Sequence, residues 1–236
     1  MNAPRHPSDA VGLRAARTPH QSRSQRSLER LLDATRELLE QRTFDEITVA
    51  EIVARAGSSV GVFYSRFADK LALLDCLDEL YARDVIEEFS RLAGGWRHRT
   101  LSLEQKIGEA ARFLVRFHRP RRGLVRALVL HARLHVGGPF SERTRRMQSA
   151  SGGIVPALLE HADEIAHRDP ELAVRFSMVQ ALTTVREHVL FPEGPAATAP
   201  LDDAQLAREV ARSWRAYLGG SSTSLTNRRR APRETR

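Results

Sequence analysis

Residues 48–71, TVAEIVARAGSSVGVFYSRFADKL, constrain this chain more than any other stretch. Thr48 followed three residues later by Glu51 is a capping box, and Ile47 and Ile52 are spaced for a hydrophobic staple, so a helix starts here. Ile52, Val53 and Ala56 form its apolar face. Gly57 ends it, because a residue without Cβ reaches the left-handed conformation at least cost. Ser58 and Ser59 form a short turn. Ser59 can cap a second helix from Val60 to Arg66, and Asp69 can cap a third that opens with Lys70. Two short helices joined by a tight turn, the second free on one side, define a helix-turn-helix, whose second helix enters the major groove of DNA.

At these residues the chain resembles the TetR family of bacterial transcriptional regulators. The resemblance covers roughly residues 26–75 and is carried by Ile52, Ala56-Gly57, Ser59, Gly61, Tyr64, Phe67, Lys70 and Leu73-Leu74. The run from Tyr64 through Phe67 to Lys70 is its most specific part. Ser58, Val60, Val62, Leu71 and Arg42 depart from the common pattern, which bears on the base sequence read. The resemblance implies an all-α protein with an N-terminal three-helix DNA-binding domain and a larger helical domain that binds a ligand and dimerises. We expect a basic arm at 1–24, without apolar periodicity and disordered, the DNA-binding domain at 25–70, the regulatory and dimerisation domain at 71–218, and a disordered basic tail at 219–236.

The charge distribution fits a nucleic-acid partner only in part. The net charge is +8. Residues 1–27 carry Arg5, Arg14, Arg17, Arg23 and Arg26 against Asp9, and residues 219–236 carry five arginines against Glu234, so the two ends hold the whole excess. Residues 28–70 themselves contain six basic and eight acidic side chains. Long-range attraction to phosphate therefore has to come mainly from the ends. A solubilising role for the ends is the competing reading.

The remainder reads as about nine helices without repeats or strand alternation. The first spans 25–41, and Phe44 plugs the core of the three-helix domain. The fourth runs from Lys70 to Leu92 and stops at Gly94-Gly95. Ser102 and Gln105 form a second capping box. Further helices cover 122–136, a stretch from Ser141 interrupted at Gly152-Gly153 and Pro156, 170–191, and a last one from Asp202 to Gly219-Gly220. No apolar run reaches the length of a transmembrane helix. The single cysteine, Cys76, excludes an internal disulfide framework and suits a reducing compartment, so a cytoplasmic location is expected.

The residues expected at DNA are Thr48, Ser59, Val60, Gly61, Val62, Tyr64, Ser65, Arg66 and Lys70. Thr48 and Lys70 lie at helix N-termini, where phosphates bind. Tyr64 offers a ring to the groove wall, because Phe63 and Phe67 already fill the inward side of so short a helix. Val60 and Val62 can touch thymine methyls. One recognition helix reads too few base pairs for a genome, so a homodimer on a palindromic double-stranded operator is expected. Val179, Leu182, Val189, Val210 and Trp214 on the last two helices are the candidates for its interface. Phe113, Phe117, His131, Phe176 and Gln180 are the candidates for contact with an unidentified small-molecule effector.

Three patterns point elsewhere and are set aside. Gly57-Ser58-Ser59-Val60-Gly61 matches the nucleophile elbow of hydrolases, but that motif requires a preceding strand and a capped helix stands there. His131 and His135 have metal-ligand spacing without a third donor. Cys76 falls near the apolar side of its helix, which suits an inert thiol better than a redox sensor. No catalytic residue, metal or other cofactor is expected, and no membrane partner. The function expected is a sequence-specific, ligand-responsive repressor; the rivals are a non-specific DNA-coating protein and a helical enzyme.

Overall fold

The computed structural model describes residues 19–135 and 153–219, together with Glu142 and Arg145. The described residues are helical throughout, with no strand: α1 (Pro19–Leu39), α2 (Val49–Arg55), α3 (Val60–Tyr64), α4 (Lys70–Trp96), α5 (Leu103–His118), α6 (Arg122–Leu134), α7 (Ile154–Leu159), α8 (Pro170–Leu190) and α9 (Asp203–Gly219). Most of the stretch expected to begin a helix at Ser141, and most of both basic ends, lie outside the described residues.

Helices α1 to α3 and the start of α4 enclose a small core. Leu31, Leu39, Ile47, Ile52, Phe63, Leu73 and Leu74 are each almost wholly excluded from water there. All three expected caps of this domain are present. Thr48 Oγ1 accepts from the Glu51 backbone N–H, and the Glu51 carboxylate accepts from the Thr48 N–H. Ser59 accepts from Val62 N–H, and Asp69 from Ala72 N–H. Gly57 ends α2 with φ of 54°, the left-handed value that its missing Cβ permits.

Two boundaries differ from expectation. Helix α1 begins at Pro19, so residues 19–24, assigned to the arm, are helical. Helix α4 runs through Gly94-Gly95 to Trp96. Each glycine costs a helix about 1 kcal/mol relative to alanine, but Trp96 is buried and donates its indole N–H to Glu109 on α5 at 2.9 Å. That anchor outweighs local propensity.

In the larger domain α5 packs against α8 and α9, α6 against α8, and α7 against α4 and α8. Aromatic rings line its centre: Phe89 meets Phe113 edge-on, Phe113 meets Phe117, and Phe117 meets Tyr81. Lys106 is buried within it, with Nζ donating to the Ala157 carbonyl at 2.7 Å and to Glu160 at 2.6 Å. The start of α9 is tied to the end of α5 by Arg119–Asp203, and its end to the start of α5 by Arg215–Glu104, so the two helices run antiparallel.

The two domains meet where α6 begins. Glu40, just past α1, accepts from the Gly123 backbone N–H at 3.0 Å and pairs with Arg122 at 2.9 Å, while Arg126 donates to the Leu39 carbonyl at 3.0 Å. A Cβ on Gly123 would lie 2.4 Å from the Leu39 carbonyl oxygen, so only glycine allows this approach.

Candidate nucleic-acid interface and effector cavity

The caps and the phenylalanine pair decide which side of α3 faces outward. Phe63 and Phe67 are buried. Val60 and Tyr64 stand about half exposed, and Thr48, Ser59, Gly61 and Ser65 are exposed beside them. Tyr64 is 55% exposed, with its ring supported edge-on by Phe63. Val62 is only partly exposed.

Three of the expected contacts have structural work of their own. Lys70 Nζ donates to the carbonyls of Phe44 and Ile47, both at 2.8 Å, and lies 4.5 Å from the centre of the Phe44 ring. It therefore pins the loop between α1 and α2, with Phe44 only partly buried beneath it. Arg66 donates to the carbonyl and hydroxyl of Ser24 on α1 and does not pair with Asp69. The Thr48 hydroxyl is shared with Glu51. Arg42, in place of the family's frequent glycine, pairs with Glu51 at 2.5 Å, and this guanidinium with the Thr48 hydrogen bonds brings the Glu51 carboxyl down to about 2. The Thr48–Glu51 capping box was expected; sequence reasoning missed the Lys70, Arg66 and Arg42 anchors because each joins two separate segments of the chain.

The larger domain holds a partly enclosed cavity of about 220 Å³ between α4, α6 and α8, lined by Asp78, Tyr81, Val125, Leu128, Val129, Ala132, Arg133, Thr183, Arg186, Glu187 and Phe191. None of the five effector candidates lines it. Phe113 and Phe117 are core residues, because their side of α5 faces Phe89 and Tyr81. His131 is half-buried and stacks on His135 with ring centres 4.2 Å apart. Phe176 and Gln180 point outward from α8. A larger concavity of about 1160 Å³ is an open valley between α5 and α9 with an arginine-rich rim.

The interface candidates divide in the same way. Val179 is exposed and Leu182 half-buried, but Val189, Val210 and Trp214 are buried within their own subunit. Both helices carry apolar residues beyond one stripe, and the sequence does not say which stripe the subunit uses first. The row left outward consists of Leu172, Phe176 and Val179 on α8, with Tyr217 of α9 against Phe176 at 5.4 Å between ring centres.

Polar groups beside the cavity were also not anticipated. His118 is almost fully buried; its Nδ1–H donates to the Leu114 carbonyl at 2.8 Å, and Nε2 faces Arg186 Nε at 3.4 Å. Burial, followed by the repulsion of Arg186, lowers its pKa to about 4. The one available signal was Asp78, a carboxylate within the apolar row of Leu74, Leu77 and Tyr81. Because the folded pKa lies below that of the unfolded chain, the unfolded state binds more protons between pH 6.5 and 4. Stability should thus be full above about pH 6.5 and fall by roughly 3 kcal/mol as pH drops to 4. Thermal melts across that range check this: His118→Gln should flatten the slope, and an unchanged slope would show that His118 does not cause it. Cys76 is half-buried, and that burial raises its thiol pKa. Among the described residues no three metal-ligating side chains cluster and no helix is long and apolar enough to cross a membrane.

A helix-turn-helix head is joined by the long helix α4 to a larger α-helical body, an arrangement that supports DNA-binding regulation of transcription. Residues 31–77 match the family model described as bacterial regulatory proteins, tetR family. The head is thus a TetR-family domain, and the chain as a whole has the fold of that family. Its fold resembles a TetR-family transcriptional regulator from Streptomyces coelicolor (TM-score 0.60, 18% identity, 82% of this chain and 80% of that one). It also resembles a bacterial regulatory protein of the family from Rhodococcus RHA1 (TM-score 0.62, 15% identity, 82% and 97%). A third similar structure is the transcriptional regulator FadR from Bacillus subtilis in complex with stearoyl-CoA (TM-score 0.59, 15% identity, 79% and 96%). No curated protein matches the sequence.

Proposed function

We propose that this protein is a cytoplasmic homodimeric repressor that reads a palindromic operator and releases it when a small molecule occupies the cavity between α4, α6 and α8. The observation that carries the DNA reading is the outward face of α3, where an exposed aromatic, Tyr64, stands beside Val60, Gly61 and Ser65, all exposed among the described residues. Thr48, Ser59 and Val62 flank that face. Lys70 and Arg66 hold the head in shape behind it and reach phosphate only from its edge. The exposed row on α8 and α9 supports the dimer, since a patch of this kind suits a self-complementary twofold contact.

Ligand response is supported by α6. Its Val125, Leu128 and Val129 wall the cavity, and its first turn grips the end of α1. A molecule that fits only one position of α6 would shift the head by its differential affinity for the two states. FadR is similar in fold and was solved with stearoyl-CoA. The cavity here is far too small for such a molecule, so the effector is smaller.

Titration of a candidate palindrome and a random duplex tests the reading. A regulator should prefer the palindrome by about 10³-fold or more; equal binding would favour a coating protein. Tyr64→Ala should weaken operator binding by about 10-fold with no loss of thermal stability, because the ring is half exposed. An unchanged affinity would remove Tyr64 from the interface.

A further inference from the structure

Arg186 is a half-buried cation whose polar neighbours are neutral: the Tyr81 hydroxyl, and His118, which donates its only ring proton to Leu114 and so turns a lone pair toward Arg186. No carboxylate lies within ion-pair distance of it among the described residues. Tyr81, 3% exposed, lines the same cavity; its buried hydroxyl lies against Arg186, which can only donate to it, so the hydroxyl proton has no acceptor. A buried hydroxyl proton without an acceptor and a guanidinium without an anion are both costly, and both are satisfied by one acceptor of negative charge. The other charged groups facing the cavity are Asp78, Glu187 and Arg133. Asp78 has an interaction of its own, and neither it nor Glu187 forms an ion pair with Arg186 among the described residues.

The rest of the wall is apolar: Val125, Leu128, Val129 and Phe191. An apolar cavity of about 150 Å³ holds one benzene molecule. The 220 Å³ available here suits one ring bearing a carboxylate.

We propose that the effector is a one-ring monocarboxylic acid, its carboxylate on Arg186 and the Tyr81 hydroxyl and its ring against the α6 wall. This rests on the ligand-responsive reading above and specifies it.

Calorimetry on the full-length protein tests it with benzoate, phenylacetate and cyclohexanecarboxylate, against the neutral benzamide and benzyl alcohol. At least one acid should bind, and the neutral compounds at least 10-fold more weakly. Arg186→Gln should weaken the acid by about 10-fold or more, as expected for a charge-assisted hydrogen-bond pair. Tyr81→Phe is the safer variant, since it keeps the buried ring and removes only a hydroxyl whose proton has no acceptor; it should fold as well as wild type and lose several-fold in affinity. The proposal is overturned if none of the acids binds below about 10 mM, if the neutral compounds bind as well, or if both variants bind like wild type. Operator release is measured separately. An acid that binds through Arg186 without releasing DNA confirms the site and refutes the response. Release by a neutral compound, unaffected by Arg186→Gln, does the reverse.

Discussion

Phe176→Glu combined with Val179→Glu should give a folded monomer whose operator affinity falls by about 10³-fold or more. Both side chains are half exposed or more in the single subunit, so the carboxylates remain solvated in the monomer and should cost it little. Across a twofold contact each would face an apolar partner surface, and two charges buried without partners outweigh the contact. A monomer reads one half-site, and specificity falls toward the non-specific level. Size-exclusion chromatography with light scattering reports the assembly, and circular dichroism the fold. A dimer that survives would move the interface elsewhere. Val189→Glu makes the contrast: Val189 is wholly buried in its own subunit, so a glutamate there should unfold the protein rather than divide it.

Gly123→Ala should destabilise the protein by about 2–3 kcal/mol, a drop in Tm of roughly 4–12 °C for a chain of this size. The added methyl meets the Leu39 carbonyl and the Glu40 backbone nitrogen, neither of which can move without shifting the end of α1. The sign of the change is diagnostic. In an unconstrained helix the same substitution would stabilise by up to about 1 kcal/mol. A raised Tm would therefore show that α6 does not press on α1, and would remove the physical route from cavity to head. Glu40→Gln tests the same joint more gently, since it keeps the shape and loses the charge facing Arg122 and the Gly123 N–H; weaker coupling between effector and operator is expected, with little change in the fold.

The head was legible in the sequence because local chemistry decides it. A capping box, a left-handed glycine and a serine cap lie within a dozen residues and need no partner from elsewhere, and the buried pair Phe63 and Phe67 turns Tyr64 outward. Long-range arrangements were legible only in outline. The apolar residues of α8 and α9 announced burial but not its direction, so Val189, Val210 and Trp214 were assigned to a partner when the subunit keeps them for itself. The stop at Gly94-Gly95 failed for the same reason: the bond from Trp96 to Glu109 comes from another helix. The cavity was missed because its lining residues come from three helices, α4, α6 and α8, whose approach no local spacing announces.

The chain has two lysines, and neither is a free surface amine. Lys106 is buried against Ala157 and Glu160, and Lys70 is held by the carbonyls of Phe44 and Ile47. Every other basic side chain apart from histidine is an arginine, whose charge persists at any pH the fold survives. The pull on phosphate is therefore fixed: lysine acetylation has almost nothing to remove, and amine-directed dyes or crosslinkers should leave the arginine charge of the DNA-facing surface intact.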